Sequence, residues 1–185
     1  MKNLLFLSFL ILASCSKKNE YNLSANSDIP DGEMVYLVQY KENVPVLKDS
    51  ITVLGGNFSF SDSIVVPEMY YLFFKNIRGN IPVVLEPGNI EMTVYKDSLR
   101  STIIKGTKSN DDFKQYIDES SSFINELNSI QNEINYNIAI NDSLIKLDLE
   151  EQFIDMRKKL TDYEYDFMSN KNDSYVSALI LQRMV

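Results

Sequence analysis

The sequence predicts an α+β protein, an antiparallel β-sandwich or partial barrel followed by an α-helical hairpin and a third C-terminal helix. Two observations carry this. Residues 31–107 hold short β-branched and aromatic runs separated by turn residues, which is strand-and-turn patterning. From residue 108 onward the apolar spacing changes to three and four, the period of amphipathic helices. A hydrophobic fraction of 44% with 11% aromatics over 185 residues is enough for a real core.

The amino-terminal segment comes first. Lys2 precedes the nearly continuous apolar run Leu4–Leu12, too short to span a bilayer core as a helix and of the length of a secretory signal. Leu12-Ala13-Ser14-Cys15 then resembles a bacterial lipobox, with residues 1–14 as the signal peptide and Cys15 as the lipidated first residue of the mature chain. Acyl chains on Cys15 would hold the protein at a membrane, since each buried methylene contributes about 0.8 kcal/mol. Ser16 after the cysteine favours the outer membrane, and the lack of an acidic cluster there favours its periplasmic face. Residues 15–30 are polar and read mainly as a tether, with one strand candidate around Tyr21–Ala25.

Seven runs follow as strands: 34–40, 50–54, 58–62, 69–74, 81–86, 90–95 and 101–106. Gly55-Gly56 signals a hairpin because glycine takes positive φ freely, and Pro87-Gly88 a second turn. Ser109-Asn110-Asp111-Asp112 offers N-cap side chains and negative charge for the first helix. Its apolar stripe runs Phe113, Ile117, Ile124, Leu127, Ile134 and Ile138, widened by Tyr116, Phe123 and Ile130. Asn141-Asp142-Ser143 caps a second helix whose stripe includes Leu149, Phe153, Met156, Leu160, Tyr163 and Phe167. Residues 142–169 would span about 40 Å, and the two helices read as an antiparallel hairpin. Asn172-Asp173-Ser174 caps a third helix, which is apolar and therefore either docks on the hairpin or precedes a further domain.

The chemistry available is narrow. The chain has no histidine and one cysteine, which excludes Ser-His-Asp and Cys-His catalysis, His-ligated zinc and Cys-x-x-Cys redox chemistry. A formal charge of −8 argues against nucleic acid, whose phosphates need clustered Lys and Arg. No metal site or cofactor is expected. Glu86 in "LEPGN" reads as part of an ordinary hairpin turn rather than as a site acid. The tyrosines Tyr36, Tyr40, Tyr70 and Tyr71 read as strand packing rather than a ligand groove. Asp148, Glu150, Glu151 and Asp155 lie on a helix without a calcium-loop glycine and read as a solvated face.

The order of Pro30-Asp31-Gly32, Val35-Tyr36-Leu37, Asp49-Ser50-Ile51, Gly56-Asn57-Phe58, Tyr70-Tyr71-Leu72, Ile81-Pro82, Leu85-Glu86-Pro87-Gly88-Asn89-Ile90 and Gly106-Thr107 is the feature most suggestive of kinship. It resembles the domain of unknown function that precedes thioredoxin-like modules in Bacteroidetes envelope lipoproteins of the TlpA/ResA thiol-disulfide oxidoreductase type. "NDSYVSALIL" resembles the helix linking that domain to the thioredoxin fold. The resemblance implies a cell-envelope setting and a thioredoxin-like domain or protein as partner. The redox Cys-x-x-Cys of such proteins has no counterpart here, so no catalytic residue carries over and the chain is expected not to be an enzyme by itself.

Asp-Ser followed by Ile or Leu, at Ser50, Ser63, Ser98 and Ser143, resembles the O-glycosylation acceptor pattern of Bacteroidetes envelope proteins, and is also plain turn or cap chemistry. The expected function is a lipid-anchored accessory module of thiol-disulfide systems, with membrane contact through Cys15. The alternative is a free-standing envelope lipoprotein that binds a protein or small ligand.

Overall fold

The computed structural model describes residues 19–139 and 143–184; Cys15 and the signal segment lie outside them, as do Asn141, Asp142 and the side chain of Ser143. The described residues form eight strands and three helices: β1 (Glu20–Ser27), β2 (Met34–Lys41), β3 (Val44–Thr52), β4 (Asn57–Ser63), β5 (Glu68–Phe74), β6 (Asn80–Leu85), β7 (Gly88–Val94), β8 (Ile103–Lys105), α1 (Lys108–Ala139), α2 (Ser143–Asn170) and α3 (Tyr175–Met184). The expected α+β sandwich is what forms. One sheet has the order β4-β1-β7-β8 and the other β3-β2-β5-β6, and neither closes into a barrel.

The core lies between the two sheets. Tyr21, Leu23 and Ala25 of β1, Phe58 and Phe60 of β4 and Ile90, Met92 and Val94 of β7 point inward from one sheet. Val35 and Leu37 of β2, Tyr70, Leu72 and Phe74 of β5 and Ile81, Val83 and Leu85 of β6 meet them from the other. The two-residue period of strand side chains makes each of these sets a single inward face.

Four expectations about the strands need correction. The segment 15–30 is not mainly tether: from Glu20 it is β1, hydrogen-bonded on both sides. Asn22, Ser24 and Asn26 face outward and gave a buried strand the composition of a linker. β1 also pairs parallel with β7, since both cross the same sheet in one direction with the other sheet between them in sequence. Gly55-Gly56 turns the chain, with φ of 60° and 70°, but joins strands of different sheets; only the Leu54–Asn57 bridge resembles a hairpin. Here glycine is required, because a Cβ on Gly56 would lie 2.6 Å from the Ser27 carbonyl oxygen. Pro87-Gly88 is likewise a corner between sheets, from β6 to β7.

A true hairpin forms where no glycine marks it. Glu42 and Asn43 take φ of 50° and 64° between β2 and β3, and a register shift at Leu37/Val38 bends the pair. Val44, Val46 and Leu47 are exposed on β3, which edges its sheet.

The helices sit close to their expected bounds. α1 and α2 pack antiparallel: Tyr116 near the start of α1 meets Phe167 near the end of α2, and Ile130 and Ile134 meet Leu149. Val176 and Ile180 place α3 against Tyr116 and Phe167, so the third helix docks on the hairpin. The cap of α3 is Ser174, whose Oγ accepts the Val176 N–H at 3.2 Å. The apolar stripe expected along α1 divides. Tyr116, Leu127, Ile130 and Ile134 are buried, whereas Ile117 and Ile124 remain 43% and 36% exposed.

Candidate functional site

The site is built where α1 leaves the sandwich. A helix begins with four backbone N–H groups that lack intrahelical partners. Glu86, just past β6, supplies an acceptor: its Oε1 takes the Ser109 N–H at 2.7 Å and its Oε2 the Ser109 hydroxyl at 2.6 Å. The carboxylate thus sits at the positive end of the α1 dipole. Glu86 lies at the corner from β6 to β7 rather than in a hairpin turn, and it fastens the helix to that corner.

Asn110, read from sequence as one of several capping residues, does something else. It is 2% exposed, and its Oδ1 accepts the Val84 N–H at 3.0 Å. Its Nδ2 donates to the Val84 carbonyl at 2.8 Å and to Thr107 Oγ1 at 2.8 Å. β6 edges its sheet, so one amide side chain takes the place of a neighbouring strand at Val84.

Asp112 ties the other end of the hairpin to this junction. Its carboxylate accepts from Lys171 at 2.6 Å and from Lys108 at 3.2 Å, and Lys108 also reaches Asp173 at 3.2 Å. Burial opposes the charge on Asp112, but hydrogen bonds from Lys171, Ser174 and Lys108 outweigh it and hold the carboxyl below its ordinary range. From α3, the Tyr175 hydroxyl accepts the Met69 N–H of β5 at 3.0 Å.

Beside this clamp lies a groove of about 340 Å³ between the rim of the sandwich and α1. Ile81, Leu99, Ile104, Phe113, Ile117 and Ile124 give it apolar walls. Its polar lining includes Asn80, Arg100, Thr102, Lys114, Ser121 and Asn125. Thr102 Oγ1 is the buried side-chain oxygen left without a partner among the described residues. Lys114 is engaged with Asp118 one turn along α1. A second depression shares Asn80, Leu99 and Arg100 and adds Arg78 and Lys96.

Residues 21–113 match the family described as a domain of unknown function, DUF4369. The chain belongs to this family. The DUF4369 match runs from β1 to Phe113, so it takes in all eight strands, Glu86 and the clamp residues Ser109 and Asn110. The rest of α1, with α2 and α3, lies beyond it. No curated protein matches the chain.

The other residues singled out from sequence are dispersed. Ser50 on β3, Ser63 at the end of β4 and Ser98 before a short 3₁₀ turn at Leu99–Ser101 are all exposed, on separate elements. Asp49 and Asp62 each accept the N–H of the following serine at 2.7 Å, the local turn bonding that Asp favours. Cys15 and the Ser143 side chain lie outside the described residues. Tyr70 is buried and donates to Glu68 at 3.2 Å; burial, then the Glu68 charge, pushes it up to about 12. Burial, with the charges of Asp62 and Asp49, pushes Tyr21 up to about 12 as well. Neither phenol ionises at neutral pH. Tyr40 stands edge-on to Tyr71, with ring centroids 5.3 Å apart. On α2, Asp148, Glu150 and Asp155 bond along the helix to Gln152, Lys146 and Lys159.

Sequence reasoning missed the groove and the sheet-edge role of Asn110. Arg100, an arginine flanked by Leu99 and Ser101, was the available signal for the groove.

Proposed function

We propose that the chain is a lipid-anchored, non-catalytic accessory module of the cell envelope, which holds a thioredoxin-like domain or protein near the membrane for thiol-disulfide exchange. The observation that carries this reading is the clamp at the start of α1. Glu86 and Asn110 join the helix to the sandwich through the bonds to Ser109 and Val84, and Asp112 fastens the far end of the hairpin to the same point. A helical arm mounted in this way is suited to holding a partner at a set position. Exposed Leu147, Ile154 and Tyr165 on α2 give the arm apolar surface to offer.

The test has two parts. A photo-crosslinking residue at Leu147 or Ile154 in the envelope-expressed chain should capture a protein that carries Cys-x-x-Cys. Cys15→Ser should move the chain from the membrane fraction to the soluble fraction. Crosslinks confined to proteins without a redox motif would overturn the thiol-disulfide reading, and unchanged fractionation would overturn the anchor. The groove favours the second reading, a free-standing lipoprotein that binds a small ligand.

A further inference from the structure

We infer that the groove between the sandwich rim and α1 is a binding site for a single-chain amphiphile with a carboxylate head, of the fatty-acid class. Ile117 and Ile124 stay 43% and 36% exposed, while Tyr116 and Leu127 of the same α1 stripe are buried. Together with Phe113 they line the groove along about 16 Å of helix, the length of a medium acyl chain. Ile81, Leu99 and Ile104 form the opposite wall. The volume of about 340 Å³ falls at the small end of ligand sites, which run roughly 300–1,000 Å³, and suits one chain rather than two.

The polar groups select the head. In a chain with a net charge of −8, Arg100 forms no ion pair among the described residues, and it stands where the groove meets the neighbouring depression. Lys114, the other cation of the groove, is already compensated by Asp118. One uncompensated guanidinium calls for one negative charge, and its planar fork matches a carboxylate. Thr102 supplies the second contact, because its buried Oγ1 lines the same groove without a hydrogen-bond partner and can donate to a carboxylate oxygen. A carboxylate between Arg100 and Thr102 therefore leaves the acyl chain to run along Phe113, Ile117 and Ile124. This site is separate from the partner contact proposed for α2 and does not depend on it.

Dodecanoate is the probe, titrated calorimetrically below its micelle concentration into the full chain carrying Cys15→Ser. Saturable binding of one molecule per chain is expected. Arg100→Gln, at an exposed position outside the fold's core, should weaken it about tenfold or more, as loss of a charged hydrogen bond does. Ile117→Glu should abolish it, and dodecanol, with the same tail and no charge, should bind about tenfold more weakly. Leu147→Glu on α2 should leave it unchanged. No saturable binding, or binding indifferent to both Arg100→Gln and Ile117→Glu, would overturn the proposal. So would light scattering that shows a dimer which Ile117→Glu dissociates, because the groove would then hold a second copy of the chain.

Discussion

The sandwich and the helical arm are held together by different means. In the sandwich, Val35, Leu37, Leu72, Val83 and Ile90 are fully buried, and apolar contact between two sheets supplies the stability. In the arm, apolar residues are thinner on the ground and polar ones go inside with them. The buried polar and charged residues among those described, from Thr107 and Asn110 to Glu164 and Ser177, all lie at or beyond residue 107. Glu164 shows how they are accommodated: it accepts from the Tyr116 hydroxyl at 2.8 Å and pairs with Arg183. Around it Tyr116, Tyr163 and Phe167 pack ring against ring, Tyr116 and Phe167 edge-on at 5.5 Å. A sandwich can exclude polar groups because its strands pair their own backbones and hide one face. A two-helix arm with a short third helix has too little interior for that, so satisfied polar contacts set how its helices meet.

The largest effect should come from the sandwich. Leu72→Ala removes a fully buried side chain from a close-packed interior and should cost about 3–5 kcal/mol in urea unfolding. Leu127→Ala, at 8% exposure in the thinner arm, should cost about 2 kcal/mol, because the site can close more easily around the gap. Equal losses would break the comparison.

Next comes the joint. Asn110→Ala leaves the Val84 N–H and carbonyl without their side-chain partner, at about 2–3 kcal/mol. Amide exchange should then speed up in the first turns of α1 while β1 and β7 keep their protection. Uniform loss of protection would mean that the sandwich and arm unfold as one unit.

The smallest effect is on acid sensitivity. Asp112 has its carboxyl held low in the folded state, so the stability it lends is present above the ordinary carboxylate range and disappears as pH falls through its depressed value. Asp112→Asn should therefore flatten the acid limb of the stability curve below about pH 4. If acid loosens the wild-type arm before the sandwich, amide exchange at low pH will show it first in α1 and at the α2–α3 turn.

Much of this architecture was legible in the residues. The strand runs at 58–62 and 69–74, the switch to helical period after residue 107 and the three helix starts all lie within a residue or two of the elements that form. The failures share one cause, long-range pairing. β1 reads as linker because half of its side chains face water, and only the contacts with β4 and β7, far along the chain, make it a strand. Gly55-Gly56 and Pro87-Gly88 are turns as their composition demands, yet nothing local says that the strands on either side enter different sheets. The groove was illegible for the same reason. Ile117 and Ile124 carry the same spacing as residues that face α2, and only the placement of β6 and β8 beside α1 separates the two faces.

The sequence by itself determined the element types, their order and the inventory of reactive groups, because each depends on residues within a turn or two of one another. Glycine and proline set turns, a two-residue or three-to-four-residue apolar period sets strand or helix, and the absence of histidine is a matter of composition. The tertiary structure alone decided which strands became neighbours, that Asn110 would close a sheet edge rather than a helix end, and that Arg100 and Thr102 would meet the open face of α1. Those outcomes depend on which apolar surfaces cover one another, and burial acts on area without regard to separation along the chain.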